Sequence, residues 1–346
     1  MPIKFDRRTF LAGSAAAAGT LAMPAIGRAT TPIKMILNWR YQGPQAWFFL
    51  AQDKGYFADA GIEMIMDQGN GSGAAVGSVA GGAYDVGFGD INALTRLAAT
   101  NPDEAPIGVY QMYNKPPFTV AVLTDSDIMT AEDLEGRLLG GAANDGALKL
   151  WPAFTQIAGI DTSDVEILNF QPNLREQMLS TKQVEGVFGY VNTIRFSAKL
   201  SGMDPDSDLR FISYGDYGMD LYSNGMIVSK ALASENPDIV RGMNMAINKG
   251  VADTLADMDE AIEAVARREP LINKEVEKER LIATLRDEMG HEEMATTGLG
   301  GVDDARFKKA IDIVVEADGL PRTPAMEEIF TSEFLPPQDQ KIFSFS

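Results

Sequence analysis

Cysteine is absent from this 346-residue chain, and histidine occurs once, at His291. Without thiols no disulfide can staple the fold, so its stability has to come from a large buried core. No cysteine is present to carry a lipid either. One histidine and no cysteine leave few ways to build a nucleophile–base pair or a nitrogen–sulfur metal site. His291 stands in Gly290-His291-Glu292-Glu293, an acidic helix boundary where a capping or solvent-facing role is expected. Carboxylate pairs such as Asp303-Asp304 and Glu327-Glu328 read as solvated faces. No catalytic residue, metal or cofactor is therefore expected. Base is scarce too: 30 Lys and Arg against 49 Asp and Glu give a formal charge of −19. That balance argues against nucleic acid or an anionic membrane surface as partner, though it does not fix the sign of one pocket. Past the first thirty residues no run reaches the roughly 18 apolar residues that a spanning helix needs.

The first feature present is an address. Asp6-Arg7-Arg8-Thr9-Phe10-Leu11 sets paired arginines before a run of small residues from Ala12 to Ala22. This is the composition of a signal peptide, and twin arginines followed by Phe and Leu point to the bacterial route that exports folded proteins. The usual lysine is missing, since Ala12 follows Leu11. Ala29, with Gly27 two residues before it, is the expected cleavage point. The leader carries Lys4, Arg7, Arg8 and Arg28 against Asp6, a net +3, which leaves −22 for the rest. The expectation is a soluble periplasmic protein. Removing residues 1–29 from 346 leaves 317, enough for two domains.

Ile33 to Asn38 alternates as a strand, with Gly43 and Pro44 in the loop beyond it, and Gln45 to Lys54 reads as a buried helix closed by Gly55. Strands at Ile62 to Asp67 and Asp85 to Phe88, with a small-residue helix between them and a helix at Ile91 to Ala99 after, imply parallel strands under covering helices. The pattern restarts at the strand Phe118 to Leu123. Thr130-Ala131-Glu132-Asp133 resembles a helix cap. Leu138-Leu139, Val165 to Asn169 and Val184 to Tyr190 continue as strands, with helices from about Ala147 and at Leu174 to Ser180. After a strand at Met226 to Ser229 the chain turns helical. Asn236-Pro237 starts a helix whose stripe is Ile239, Met243, Ile247 and Val251, and Pro270, Gly290 and Pro321 end later helices. No internal repeat is evident. The class is α/β, with residues 30–120 and 226–346 forming a first lobe, 121–225 a second, and the helical tail packed on the first. The lobes are joined by crossings near 115–125 and 222–228, which can act as a hinge.

Three loops carry candidate chemistry. Gly69-Asn70-Gly71-Ser72-Gly73-Ala74 fits the dinucleotide pattern G-x-G-x-x-G/A, and Asp90 lies about twenty residues on, as that fingerprint asks. An exported NAD(P)-dependent oxidoreductase is thus a rival reading, although the unit follows the second strand rather than the first. Glycines with Ser72 at a helix N-terminus can also hold any polar or anionic group on backbone N–H groups. Gly140-Gly141-Ala142-Ala143-Asn144-Asp145-Gly146 offers a second such loop. The third is aromatic: Trp39 and Tyr41 fall just beyond a strand's carboxyl end, where open α/β sheets place ligands, while Trp47, Phe48 and Phe49 belong to core packing.

Several of these segments, in this order, resemble one family. Asn38-Trp39, Ala51-Gln52-Asp53-Lys54-Gly55-Tyr56-Phe57, Gly69-x-Gly71-Ser72 and Asp85-Val86-Gly87 are similar to the NMT1/THI5-like periplasmic binding proteins. So are Asp133-Leu134-Glu135-Gly136-Arg137, Glu235-Asn236-Pro237 and Phe334-Leu335-Pro336-Pro337, so the likeness spans nearly the whole chain after the leader. The resemblance implies the type II periplasmic-binding fold, a small-molecule solute held between lobes, an ABC transporter permease as partner and a monomer. Relatives take thiamine pyrimidine precursors, sulfonates or nitrate. Carried over by position, the ligand contacts fall on Asn38, Trp39, Tyr41, Ser72, Asn144, Tyr190, Asn192, Asp220 and Tyr222, with Asp90 as a further candidate. The pyrimidine binders tend to follow their Tyr-x-Asn element with a carboxylate. Here Ile194 and Arg195 stand instead, which leaves room for an anion on Arg195 or Arg40. The pyrimidine synthases of this superfamily need a donor histidine and a cysteine-rich motif, and neither is present.

Overall fold

The computed structural model describes residues 30–345. The expected leader and its cleavage point lie outside the described residues.

Among the described residues, short runs rich in β-branched and aliphatic residues make ten strands in two sheets. The first holds β1 (Thr31–Ile36), β2 (Ile62–Asp67), β3 (Val86–Asp90), β4 (Ile107–Gln111) and a late strand, Asn224–Val228. The second holds β5 (Phe118–Leu123), β6 (Leu138–Gly141), β7 (Glu166–Asn169), β8 (Gly186–Tyr190) and β9 (Leu209–Ser213). With the late strand numbered β10, the orders are β2-β1-β3-β10-β4 and β7-β6-β8-β5-β9. Each sheet is parallel except for its fourth strand, β10 or β5, which runs antiparallel to both neighbours. β3 and β8 are buried throughout and read as apolar runs broken by glycine rather than as alternations, as parallel strands covered on both faces do.

The two lobes therefore repeat one topology, although no internal repeat is evident in the sequence. Phe88-Gly89-Asp90-Ile91-Asn92 and Phe188-Gly189-Tyr190-Val191-Asn192 occupy matching places, where β3 and β8 run into the helices Ile91–Thr100 and Val191–Leu200. Five residues of likeness are too few to stand out in a sequence. Topology makes them equivalent.

Strands β4 and β9 are not among the strands the sequence pattern predicts. Neither alternates, and each completes its sheet beside the antiparallel strand, a role set by the partner rather than by local pattern. The expected cap at residues 130–133 exists without its helix. The Asp133 carboxylate accepts from the Met129 and Thr130 N–H groups, both at 2.9 Å, but the chain makes one 3-10 turn, Glu132–Leu134, before Gly136 redirects it into β6.

The tail packs on the first lobe. Its longest helix, Pro237–Ala256, begins at Asn236-Pro237 and buries Val240, Met243, Ile247 and Val251 against the helix Ala46–Asp53, leaving Ile239 half-buried. Trp47, Phe48 and Phe49 are core, as expected. The chain crosses between sheets at 112–117 and again at 214–223, and Arg306 ties the two crossings together. Its Nη2 donates to the Asn114 carbonyl at 2.6 Å and to Asp220 Oδ1 at 2.7 Å, with the guanidinium 4.2 Å from the Tyr222 ring centre. Among the described residues no helix is long and apolar enough to cross a membrane.

Candidate functional site

Parallel strands carry their loops, and the N-termini of the following helices, to one end of each sheet. Here the two such ends face each other. Asn38 and Trp39 follow β1, and Ser72 opens the helix after β2. From the other lobe, Asp145 follows β6, Arg175 begins the helix after β7, and Tyr190 ends β8. These side chains line one space between the lobes, about 20 Å³ in volume. A single water needs roughly 10–15 Å³, so the lobes are in contact and a ring-sized solute enters only when they part. A groove of about 720 Å³ is far larger, but it opens to solvent between Lys230, Phe330 and Phe334, away from the strand ends.

Tyr190 bolts the lobes together. Its hydroxyl lies 2.8 Å from Ser72 Oγ and 2.9 Å from Ser223 Oγ, and it donates to Asn224 Oδ1 at 3.0 Å. Burial, with Asp90 nearby, pushes this phenol well above its usual range, so it stays protonated and able to donate. Arg175 is buried and turned by Glu176, whose Oε1 accepts from its Nε at 2.9 Å and Nη2 at 2.8 Å. Its guanidinium lies 5.7 Å from the Trp39 ring centre, a cation over an aromatic face. Asp90 and Asp145 both cap helices and both are raised above the ordinary carboxylate value, first by burial; Asp90 reaches about 6.

Of the other residues expected here, Asn38 faces the space while its Oδ1 accepts from Gln45 Nε2 at 3.0 Å. Tyr41 is turned away, with its hydroxyl on the Met66 carbonyl at 2.7 Å and its ring edge-on to Phe49. The Asn144 side chain is exposed, and what that residue brings to the seam is its backbone carbonyl. Asn192 is buried beside Glu288 rather than in the space. Asp220 and Tyr222 belong to the crossings: Asp220 pairs with Arg306, and the Tyr222 hydroxyl donates to Glu293 Oε2 at 2.7 Å. Arg195 pairs with Asp206 beside an outer groove, and Arg40 is exposed, so neither offers an anion seat in the cleft. His291 lies near Glu293 on the first lobe. Asp145 lies one residue beyond the expected Asn144, and no local pattern marks Arg175.

The glycine loop has a packing explanation. A Cβ on Gly69 would stand 1.8 Å from the Leu37 carbonyl oxygen, and one on Gly71 would stand 2.4 Å from that of Asn144 in the other lobe. These glycines let backbone touch backbone where a Cβ would collide.

Glu288 lies where the tail meets the second lobe, in a π-helical turn, Leu285–Met289. Burial and the adjacent Asp287 push its carboxyl from 4.5 up to about 8, against the pull of Asn192, Thr284 and Arg280. The folded state thus holds this proton more tightly than the unfolded one, and stability falls as pH rises from about 4.5 to about 8. Glu288→Gln should remove that loss. Its advantage over wild type should grow to a few kcal/mol, order of magnitude, by pH 8 and then level off. Melting midpoints of both proteins at pH 5, 6.5 and 8.5 test this, and parallel curves would refute it.

A family model described as NMT1/THI5 like matches residues 44–261. The chain belongs to the NMT1/THI5-like family. It is 24% identical to the riboflavin-binding protein RibY of Chloroflexus aurantiacus, over 94% of this chain and 91% of that one. It is 23% identical to a formylaminopyrimidine-binding protein of Halalkalibacterium halodurans, over 87% and 89%. A 4-amino-5-hydroxymethyl-2-methylpyrimidine phosphate synthase of Aspergillus parasiticus is 22% identical over 72% and 74%. Among solved structures, the alkanesulfonate-binding protein SsuA from Xanthomonas axonopodis pv. citri bound to MOPS superposes with a TM-score of 0.65 at 16% identity, covering 87% of this chain and 98% of that one. The periplasmic nitrate-binding protein NrtA from Synechocystis gives 0.64 at 13%, covering 92% of each. At these identities the likeness establishes the fold: this family member has the two-lobed architecture of periplasmic binding proteins.

Proposed function

We propose that this family member is the periplasmic solute-binding component of an ABC importer, capturing a small organic solute between its lobes, with a pyrimidine-like heterocycle favoured. The observation that carries the reading is the convergence of both sheets' carboxyl ends on one polar space walled by Trp39. Relatives that bind riboflavin or formylaminopyrimidine support a flat ring, for which an aromatic face is the natural wall. The two crossings, clamped by Arg306, supply the hinge. Export on the twin-arginine route and a monomeric state belong to the same reading. A binding rather than catalytic role belongs to it too, supported by relatives named for binding. Packing explains the glycines at 69 and 71, so the oxidoreductase fingerprint draws no separate support from them.

Trp39→Ala should weaken solute binding ten-fold or more, about 1.4 kcal/mol or above, with the fold intact. An unchanged dissociation constant by titration calorimetry would take Trp39 out of the site. The reading as a whole is tested by a thermal-shift screen against thiamine pyrimidine precursors, flavins, sulfonates, nitrate, aromatic carboxylates and NAD(P). A ligand that binds the folded state raises the midpoint once it exceeds its dissociation constant. A shift with NAD(P) alone would replace the receptor with an oxidoreductase, and silence toward every solute would sink it.

A further inference from the structure

The lobes also meet outside the cleft. The tail helix Lys274–Thr284 packs on the second-lobe helix Val191–Leu200, which opens directly after Tyr190. Phe196 of the second is buried with Val276 and Ala283 of the first in a cluster apart from the main core, and Lys199 pairs with Glu279 across the join. Glu288 lies four residues past Thr284, and its carbonyl accepts from the Lys115 N–H of the first crossing at 2.9 Å. Its side chain is 4% exposed and lies beside Asn192 of the second lobe. One carboxyl oxygen, Oε1, has no hydrogen-bond partner among the described residues. A buried acceptor left unmet is costly, and a charged one far more so.

The neighbouring charges do not answer it. Arg286 is bound to Asp287 on the same turn, Lys199 to Glu279, and Arg195 to Asp206. Lys115 Nζ donates to the Arg286 carbonyl at 3.3 Å, and His291 lies by Glu293. Tyr113, which feels the Glu288 charge, is pushed well up by burial and stays protonated. Arg280 does pull on Glu288, but the same guanidinium is paired with buried Glu277, and burial with Asp287 outweighs it. Parting the two helices would let water reach the carboxyl and return its proton affinity toward the ordinary 4.5.

We propose that this join is a proton-operated latch: protonated Glu288 lets the second-lobe helix seat on the tail, and ionised Glu288 parts them. Resting on the receptor reading, a solute gripped by closing lobes is then held more tightly as pH falls. Between about 4.5 and about 8 the closed form keeps a proton that the open form has released. Each unit of rising pH in that window disfavours closure by up to about ten-fold, and beyond it both forms are ionised and the effect stops. Asp90 and Asp145 at the seam, both raised by burial, act in the same sense. Asp90 does so around pH 6, so the share of Glu288 is read above that and from what Glu288→Gln removes.

Trp39 reports closure without any solute. Trp47 and Trp151 are buried, one in each lobe, whereas the Trp39 ring is covered from across the seam by Arg175. Acrylamide quenching of the full chain is followed from pH 6.5 to 8.5. The quenching constant should rise about two-fold or more in wild type and stay level in Glu288→Gln. In Trp39→Phe it should stay level as well. A level wild-type curve would overturn the latch, as would a folded Glu288→Gln with a curve as steep as wild type. A rise that survives in Trp39→Phe would mean a loosening core rather than parting lobes, and overturns it too. Level quenching beside a solute that shifts the melting midpoint leaves the receptor and removes the latch. The expected quenching beside a screen silent to every solute keeps the latch and removes the receptor.

Discussion

Gly71→Ala is expected to lower solute affinity by about 100-fold, roughly 2.7 kcal/mol, while leaving the first lobe folded. Gly71 has φ 137° and ψ 141°, backbone that side-chain-bearing residues rarely adopt, and a methyl there costs about 1–3 kcal/mol of strain whatever surrounds it. That part acts with the lobes apart or together. The second part acts only when they meet, because the new Cβ would stand 2.4 Å from the Asn144 carbonyl oxygen and 2.8 Å from its carbon. Backbone cannot step aside as a side chain can, so the closed arrangement is what the methyl forbids. The Ser72–Tyr190 bond is lost with it, since Ser72 follows Gly71 directly. Titration calorimetry gives the affinity, and small-angle scattering in the presence of solute should show a wider particle than wild type. Wild-type affinity in this variant would mean that the contact at Asn144 is no part of ligand capture.

The largest stability effect should come from Arg280→Ala, about 3–5 kcal/mol. Arg280 is 1% exposed, in the helix Lys274–Thr284 of the tail. Its Nε lies 3.2 Å from Glu277 Oε2, its Nη1 donates to Gln42 Oε1 at 3.0 Å, and its guanidinium sits 5.8 Å from the Phe196 ring centre in the other lobe. Glu277 is itself buried and accepts from the Gly43 N–H at 2.7 Å. Removing the arginine leaves that carboxylate in the core without its cation, and the cost is chiefly that of the abandoned partner. Arg280→Met with Glu277→Gln should therefore recover much of the loss, because neither residue then carries charge into the core. Urea unfolding of the single and double variants decides it. A single variant within 1 kcal/mol of wild type, or a double variant no better than the single, would refute the account.

The contrast between elements read well and elements missed has a physical cause. Helices such as Pro237–Ala256 carry start signals and an apolar stripe inside their own span, so local sequence suffices. Strands β4 and β9 carry no such signal and exist because β10 and β5 offer them a pairing edge. The aromatic loop illustrates the same limit within four residues. Trp39 and Tyr41 look equivalent in a line of text, yet the Met66 carbonyl captures one hydroxyl and turns that ring away from the cleft.

What the sequence by itself determined is the alternation of strands and helices, the two lobes with a helical tail, the family, and the loops in which a site could lie. Those follow from periodicity, caps and glycine placement, all of which act over a few residues. The tertiary structure alone decided which side chains meet. Ser72 and Tyr190 are 118 residues apart, and the Gly43 N–H and the Glu277 carboxylate 234 apart, with nothing in either segment announcing the other. Arg175 reaches Trp39, and Asp145 rather than Asn144 turns inward, because two sheets of one topology bring their carboxyl ends together. That juxtaposition is a property of the packed whole, set by where the crossings and the tail hold the lobes.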